Sequence, residues 1–253
     1  MSKVNIYSID GSVKNTIDLP SIFDTPYRPD VIRKSFNALH SNKRQPYASN
    51  PFAGTRHATA SVGKGRGMSR VPRLTQGRKA ALAPNVVGGR RAHPPRAERN
   101  WKEKINKKEK LLARNSALAT TANKEIVSNR GHKFDDKITL PVIIDDDFEK
   151  IKKTKDIIKV FQKIGIYNDV IRSSRGKHIR AGKGKTRDRK YRIPKSILII
   201  SIKKDVEKSS NNLPGVDVVN PNNLNIEYLA PGGDAGRLTV FTESALKELG
   251  GEK

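Results

Sequence analysis

The sequence of 253 residues contains no cysteine. This absence excludes disulfide bonds, thiolate nucleophiles and cysteine-ligated zinc sites, and it suits a reducing compartment such as the cytoplasm. The five histidines are scattered, and none has the spacing of a metal-binding motif such as H-E-x-x-H. We therefore expect no metal, no cofactor and a cytoplasmic location.

Long apolar segments are absent as well. No hydrophobic run is long enough to span a bilayer, and the first residues, MSKVNIYSIDGS, lack the apolar stretch of a signal peptide. The basic residues do not fall on one face of an amphipathic helix, as an interfacial membrane anchor requires. We expect no membrane partner.

Acidic residues are missing from a large part of the chain. Between Asp30 and Glu98 there is none, while the same interval carries 14 lysines and arginines. Over the whole chain 51 basic residues oppose 25 acidic ones, which gives a net charge of +26 and a pI near 10.3. Such an excess repels itself unless a polyanion compensates it. It indicates a nucleic-acid partner and, because no membrane-binding segment accompanies it, disfavours an anionic membrane surface.

A second basic block covers residues 172–192, RSSRGKHIRAGKGKTRDRKYR, where Asp188 is the only acid. Its AGKGKT stretch is not a phosphate-binding P-loop, because Ile179 stands where the motif requires its first glycine. We interpret it as a basic loop whose two glycines let the backbone approach phosphates. The alternative is a solvated charged loop, which the repulsion among so many like charges disfavours.

Outside these blocks the hydrophobic pattern is that of an α/β protein. Predicted strands are residues 4–9, 13–20, 140–145, 169–174, 195–203, 215–220 and 236–241. Predicted helices are residues 28–42, about 100–128, 147–165 and 243–249. Continuous apolar strands that alternate with amphipathic helices predict a single domain with a mostly parallel sheet, covered by helices on both faces.

Each predicted helix has an expected buried face or boundary. The expected buried residues are Ile32, Phe36 and Leu39, then Leu111, Leu118 and Ala122 flanked by Leu112, Ala119 and Ile126, and finally Ile151, Ile158, Phe161 and Ile164. Gly165 should end the third helix, and Thr242 should cap the fourth.

The acidic run Asp145-Asp146-Asp147 follows a predicted strand and has two interpretations. Carboxylates at a strand end can bind a metal ion. They can also begin the next helix, whose dipole favours negative charge there, and we favour this second interpretation. No grouping of serine, histidine and aspartate accompanies them, so an enzymatic function would depend on the fold alone.

We expect residues 1–40 and 100–253 to form the domain and residues 41–99 to form an extended basic loop inserted between two helices. A loop of this length in a compact domain is usually functional. Arginine supplies most of its charge and pairs bidentately with phosphate. Its VGKGRG stretch is not a dinucleotide fingerprint, because Met68 takes the third glycine position. Tyr47, Phe52 and Trp101 either stack on unpaired bases or anchor the stem, and anchoring is favoured for Trp101.

Five stretches of the chain resemble one known family. RPDVI, NKRQPYA, GKGRGMSRVPR, IRAGKGKTRDRKYR and NIEYLAPGGDAGRLTVFTESAL are similar, in the same order, to the archaeal and eukaryotic branch of universal large-subunit ribosomal protein four. The resemblance extends over nearly the whole chain. It implies a non-enzymatic, structural protein that binds large-subunit ribosomal RNA, chiefly its 5′ domain, beside other large-subunit ribosomal proteins.

The same resemblance implies that the insertion enters the RNA core. Its tip, Gly63 to Leu82, would form the constriction of the peptide exit tunnel together with large-subunit protein twenty-two. The residues expected at this tip are Arg66, Met68, Arg70, Arg73, Gln76 and Arg78. One departure from the family is LTQGRKAALAPN, which stands where many relatives have a glycine-rich run after VPR.

The predicted RNA-binding residues come from both basic blocks. In the insertion they are Arg44, Arg56, Lys64, Arg66, Arg70, Arg73, Arg78, Lys79, Arg90, Arg91 and Arg96. In the second block they are Arg175, Lys177, Arg180, Lys183, Lys185, Arg187, Arg189 and Arg192. We expect the insertion to be disordered when free and to fold as it neutralises phosphates. Two other functions stay open, an α/β enzyme acting on RNA or nucleotides and an RNA-binding regulator outside the ribosome.

Overall fold

The computed structural model describes residues 3–203 and 205–251. The chain divides into two units. One comprises the chain up to His40 and from Lys104 onward, and the other is the insertion, Ser41–Glu103.

Strands and helices alternate along most of the chain. The strands are Lys3–Tyr7 (β1), Val13–Asp18 (β2), Thr59–Ser61 (β3), Pro72–Leu74 (β4), Val142–Ile144 (β5), His178–Ile179 (β6), Tyr191–Arg192 (β7), Leu198–Ile200 (β8), Asp217–Val219 (β9) and Thr239–Thr242 (β10). The α-helices are Pro29–Asn42 (α1), Lys107–Thr120 (α2), Lys124–Asn129 (α3), Thr154–Ile164 (α4), Tyr167–Arg175 (α5), Asp205–Ser210 (α6), Ile226–Leu229 (α7) and Glu243–Gly251 (α8). Short 3-10 helices occupy Ser21–Asp24, Asp146–Lys150, Lys183–Thr186, Pro221–Asn223 and Pro231–Gly233.

A six-stranded sheet with the order β2-β1-β5-β10-β8-β9 forms the centre of the first unit. The pair β1–β2 is antiparallel, and every other neighbouring pair is parallel. The predicted mostly parallel sheet is therefore confirmed. So is the first hairpin, although its connection is residues 8–12 rather than a two-residue turn, with Gly11 at φ +81°.

Alternate residues of the central strands supply two separate cores. Ile143, Leu198 and Phe241 face one side, where residues of α1, α2, α7 and α8 cover them. Val142, Ile199 and Val240 face the other side, under residues of α4, α5 and α6. A strand buried on both faces must be apolar at every position, which explains the continuous apolar runs in the sequence.

The strand predicted at residues 169–174 is wrong, because these residues lie in α5. The buried Ser173 lies three residues after Val170 and four after Asp169, so these positions share one face of a helix. Asp169 Oδ1 also accepts a hydrogen bond from Arg172 Nε at 2.8 Å, three residues along the same helix. A short apolar segment cannot separate strand from helix by periodicity alone.

The helix predicted at about 100–128 is wrong in its extent, and its buried face is confirmed at Leu118 but not at Leu111 and Leu112. It is two helices, α2 and α3, and α2 begins only at Lys107. Leu111 is 51% exposed and Leu112 is exposed as well, whereas Ala113 and Ala117 are completely buried. Small side chains let this face approach its neighbours closely, as when Ser116 Oγ donates to Pro26 O at 2.9 Å.

The helix predicted at 147–165 is also divided, into the 3-10 helix Asp146–Lys150 and α4. Gly165 ends α4 as expected, in the left-handed conformation at φ +92°. Ile157 and Val160 are buried in place of the predicted Ile158. Thr242 belongs to β10, where its Oγ1 donates to the buried Glu149 at 2.9 Å.

The insertion contains more local structure than its composition suggested. Strands β3 and β4 pair antiparallel, and Arg73 also bridges to Ala80. The two limbs approach each other farther down, where a Cβ on Gly54 would lie 2.8 Å from Arg90 Cα. The predicted structureless segment is thus a short hairpin on a largely irregular stem.

Candidate nucleic-acid interface

Carboxylates neutralise many basic side chains of the first unit. The ion pairs are Lys14–Asp145, Arg28–Asp30, Arg33–Asp234, Lys34–Glu109, Lys150–Asp147, Lys159–Asp156, Lys163–Asp10, Arg172–Asp169, Lys195–Asp217, Arg237–Asp217 and Lys247–Glu243. Eleven basic side chains of the first unit are therefore paired with carboxylates within the described part of the protein.

The two basic blocks are not balanced in this way. Within residues 3–203 and 205–251, none of the nineteen predicted RNA-binding side chains forms an ion pair with a carboxylate. The insertion, residues 41–103, holds 14 basic and 2 acidic residues, a net charge of +12. Sixteen of the nineteen side chains are exposed, and Arg73, Arg90 and Arg180 are half-buried.

The second basic block forms a hairpin over residues 176–192, which we call the basic hairpin. Strands β6 and β7 pair antiparallel, and Arg180 N donates to Lys190 O at 2.9 Å. Its distal end contains the 3-10 helix Lys183–Thr186 and Asp188 in the left-handed region at φ +59°. Eight lysines and arginines thus project from 17 residues that hold one acid.

A recess of about 500 Å³ lies in the basic hairpin. Arg180, Arg189 and Arg192 line it, together with the backbone of Gly182 and Gly184. Arg180 Nε is buried and has no hydrogen-bond partner among the described residues. Guanidinium groups around a glycine backbone provide donors of the geometry that phosphate oxygens accept.

In the insertion, glycines alternate with exposed side chains between β3 and β4. Gly63, Gly65 and Gly67 have φ of +75°, +79° and +65°, and nothing lies within 4 Å of a Cβ placed on any of them. Lys64 and Arg66 stand between these glycines and are exposed. The loop between β3 and β4 therefore exposes its lysine and arginine side chains on a backbone with no close neighbours at its glycines.

Arg73, predicted both to bind RNA and to lie at the tip, is engaged within the insertion. Its NH1 donates to Arg78 O at 2.7 Å and its NH2 donates to Ser69 Oγ at 3.2 Å. The five other predicted tip residues are exposed, namely Arg66, Met68, Arg70, Gln76 and Arg78. The Arg73 side chain therefore stabilises the turn that follows β4, between Arg73 and Arg78.

The stem of the insertion is organised around Trp101. The guanidinium carbons of Arg44 and Arg99 lie 3.9 Å and 4.2 Å from the centre of its rings, and Tyr47 stacks at 6.4 Å. Ser41 Oγ donates to the carbonyl of Trp101 at 2.6 Å. In this structure Trp101 packs within the stem of the insertion, and Arg44, predicted as an RNA contact, packs on it.

The acidic run after β5 begins a helix, as favoured from the sequence. Asp145 Oδ1 accepts from Asp146 N at 2.8 Å at the start of the 3-10 helix Asp146–Lys150, and Asp146 Oδ1 accepts from Ser244 N at 2.9 Å at the start of α8. In the part of the chain that the structure describes, no group of three or more acidic or histidine side chains is arranged to hold a metal ion.

Several arginines close to the segment that leads into β8 were missed in the sequence. Arg130 and Arg172 line a recess of about 810 Å³ beside the base of the basic hairpin, and Arg237 lies beneath it, fully buried. Arg130 and Arg237 are isolated in ordinary α/β segments and give no compositional signal, whereas Arg172 begins the second basic block but was not among its predicted RNA-binding residues. Only GGDAGRL, part of one of the five stretches, drew attention to Arg237.

Comparison with known proteins gives a consistent match over nearly the full chain. The model of the Ribosomal protein L4/L1 family matches residues 17–252. Large ribosomal subunit protein uL4 of Methanocaldococcus jannaschii is 50% identical over 248 residues, covering 98% of both chains. Its counterpart in Thermoplasma acidophilum is 47% identical over 248 residues, covering 98% of this chain and 97% of the relative. That of Archaeoglobus fulgidus is 47% identical over 249 residues, with 98% of each chain covered.

These matches first define the class, which is that of ribosomal proteins rather than enzymes. The chain belongs to the Ribosomal protein L4/L1 family. The resemblance that the five stretches indicated is therefore confirmed, and the enzymatic alternative is excluded by the family.

No helix among residues 3–203 and 205–251 combines the length and hydrophobicity needed to cross a membrane.

Proposed function

We propose that the chain is a structural constituent of the large ribosomal subunit that binds large-subunit ribosomal RNA through two separate basic elements, the insertion and the basic hairpin. One observation carries this proposal. The nineteen predicted RNA-binding side chains form no ion pair with a carboxylate among the described residues, whereas eleven other basic side chains do. A polyanion completes the charge balance that the fold leaves open.

The basic hairpin positions the first unit on the RNA. Its recess supplies guanidinium and backbone groups for phosphate oxygens, and contacts of this kind fix register without reading sequence. The hairpin connects α5 to β8. A phosphate bound by the hairpin therefore has a fixed position with respect to the sheet.

The insertion makes the RNA contacts that a compact domain could not reach. Its tip, residues 63–82, borders the peptide exit tunnel beside large-subunit protein twenty-two. The exposed Lys64, Arg66 and Arg70 stand on a glycine-spaced backbone that fits between RNA segments. Arg73 instead maintains the turn, because its guanidinium is already engaged with Arg78 and Ser69.

Filter binding of the full chain to a transcript of the 5′ domain of large-subunit ribosomal RNA, over a range of salt, tests the proposal. We expect log K to fall linearly with log salt, with a steep slope that reflects several neutralised phosphates. A transcript of equal length from unrelated RNA is the control. Equal affinity for both RNAs would contradict a specific ribosomal role.

A further inference from the structure

A second recess adjoins the basic hairpin, at the edge of the sheet where β8 begins. It has a volume of about 810 Å³, and Arg192 lines both this recess and the one inside the hairpin. The two recesses therefore share one lining side chain. An RNA strand that follows the hairpin would meet the second recess next.

The walls of this recess combine cations with apolar surface. Arg130, Arg172, Arg192 and Lys195 line it. Arg172 and Lys195 already pair with Asp169 and Asp217, whereas Arg130 and Arg192 form no ion pair among the described residues. Asp234, the only carboxylate among the described lining residues, is paired with Arg33 at 3.1 Å. Its apolar wall includes Tyr27 and Ile193, exposed by 46% and 39%. A site for a fully hydrated phosphate alone would need no such apolar wall.

Two of the arginines are held in fixed positions by backbone carbonyls. Arg130 donates from NH1 to Ala235 O at 3.0 Å and from NH2 to Pro231 O at 2.7 Å. Arg172 NH2 donates to Lys195 O at 2.8 Å. Groups fixed before binding lose little conformational freedom when a ligand arrives.

The electrostatics of Arg130 favour an added anion. Burial lowers the pKa of its guanidinium, and the charges of Arg237 and Arg172 lower it further, against a partial offset from Asp234. A phosphate at the mouth of the recess would oppose these effects and stabilise the charged form.

We propose that this recess binds one unpaired nucleotide of the ribosomal RNA, with its phosphate toward Arg192 and Arg130 and its base against Tyr27 and Ile193. The inference depends on the proposed RNA-binding function and adds a site to it. Single-stranded RNA is recognised through bases stacked on aromatic side chains beside cationic groups. Gly232 lines the recess at φ +85°, and no atom lies within 4 Å of a Cβ placed on it. The entrance of the recess is therefore open.

The experiment measures binding of full-length variants to the same 5′-domain transcript. Tyr27→Ala should weaken binding about tenfold, whereas Tyr27→Phe, which keeps the ring, should stay within about twofold of wild type. Because Tyr27 contacts no phosphate, its loss should leave the salt slope unchanged. Arg192→Gln should reduce that slope by about one. Val13→Ala, at a side chain that is 53% exposed on β2, is the control and should change nothing.

Ultraviolet cross-linking with mass spectrometry gives a second readout that is independent of affinity. A nucleotide cross-linked to Tyr27 or Ile193 is the expected product. The inference is overturned if wild type binds the transcript while Tyr27→Ala binds equally well and no cross-link forms in this recess. It is also overturned if a free mononucleotide or an acidic peptide occupies the recess more tightly than RNA does. Failure of wild type itself to bind would instead refute the proposed function.

Discussion

Arg237 shows how a buried charge can join several parts of a sheet. It is fully buried at the start of β10, and its donors reach Ser196 O, Tyr228 O and Gly215 O at 2.8, 2.9 and 3.1 Å. Its NH2 also pairs with Asp217 at 2.6 Å. Burial lowers the pKa of the guanidinium, and the carboxylate of Asp217 opposes this change.

Replacing Arg237 by leucine should therefore lower the free energy of unfolding by about 3 kcal/mol, because the carbonyls of Ser196 and Tyr228 lose the donors of Arg237 and Asp217 keeps only Lys195 as an ion-pair partner. Urea unfolding followed by circular dichroism measures the change. Lys247→Met removes an exposed ion pair with Glu243 and should cause no resolvable loss. If both variants unfold at the same urea concentration, Arg237 does not have the role described.

His132 and Asp169 predict how stability depends on pH. Burial lowers the pKa of His132 from 6.5, although its Nδ1 lies 2.9 Å from Asp169 Oδ2. Burial alone would raise the pKa of Asp169, but hydrogen bonds from His132 and Arg172 outweigh it and hold that pKa at about 2. The folded chain therefore binds fewer protons than the unfolded chain at acidic pH.

Stability should consequently fall in two steps as the pH decreases. The first begins below about pH 6.5, where His132 takes up a proton only in the unfolded chain. The second begins below about pH 4, where Asp169 does the same, and it removes on the order of 2 kcal/mol. Urea unfolding between pH 7 and pH 2 measures both steps, and Asp169→Asn should make the second step smaller by that amount. An unfolding free energy that stays constant over this range would contradict the assigned pKa shifts.

At the scale of elements, the basic hairpin should contribute to binding but not to folding. Changing Lys183, Lys185, Arg187 and Arg189 to glutamine should reduce the salt slope of RNA binding by about three and leave the unfolding free energy unchanged, because all four are exposed and unpaired among the described residues. The matched control changes Lys137, Lys152, Lys153 and Lys155, which are likewise exposed and form no ion pair among the described residues. If the salt slope of RNA binding decreases equally in the control variant, net charge alone explains the binding.

The stem of the insertion can be observed directly, because Trp101 is the only tryptophan of the chain. Its ring lies between Arg44 and Arg99, so Arg44→Ala should shift its fluorescence emission to longer wavelength as water reaches the indole. Arg56→Ala, elsewhere in the insertion, is the control. An unchanged emission spectrum in Arg44→Ala would show that the stacked stem does not persist in solution.

The sequence was most informative where one physical requirement acts alone. The strands β5, β8 and β10 were predicted because burial on both faces demands continuous apolar residues. Helix α5 was missed because the buried carboxylate of Asp169 is stabilised by partners distant in sequence, such as His132. Leu111 is exposed because the sheet covers a different face of α2. The local sequence pattern does not indicate which face of that helix is covered.

For the candidate site, composition identified the two basic blocks but not the function of each residue in them. Arg44, Arg73 and Arg66 look alike in sequence, yet Arg44 packs on Trp101 and Arg73 holds a turn, whereas Arg66 is exposed. The recess at Arg130 and Arg172 arises from segments far apart in the chain. Only the fold brings them together.

On the scale of the whole molecule, the two units should differ in their dependence on RNA. The insertion holds few buried apolar residues, so residues 44–97 should be cleaved readily by trypsin in the free protein and protected once ribosomal RNA is bound. The sheet and its helices should resist in both states. Equal protection without RNA would contradict coupled folding of the insertion.

Deletion of residues 63–82 provides the complementary test, because these residues contribute nothing to the two cores of the sheet. The shortened chain should keep the unfolding free energy of the first unit, measured by urea denaturation, and should impair passage of nascent chains through the ribosome. Unfolding of the first unit on deletion would show that the insertion is part of its core.

The most direct test of the central claim is sedimentation of the tagged full-length chain with ribosomal subunits at increasing salt, beside the variant with the neutralised basic hairpin. The wild type should migrate with the large subunit through salt concentrations that strip loosely bound proteins, and the variant should dissociate at lower salt. Migration of the wild type away from large subunits at low salt, free or with other RNA, would contradict a role as their structural constituent.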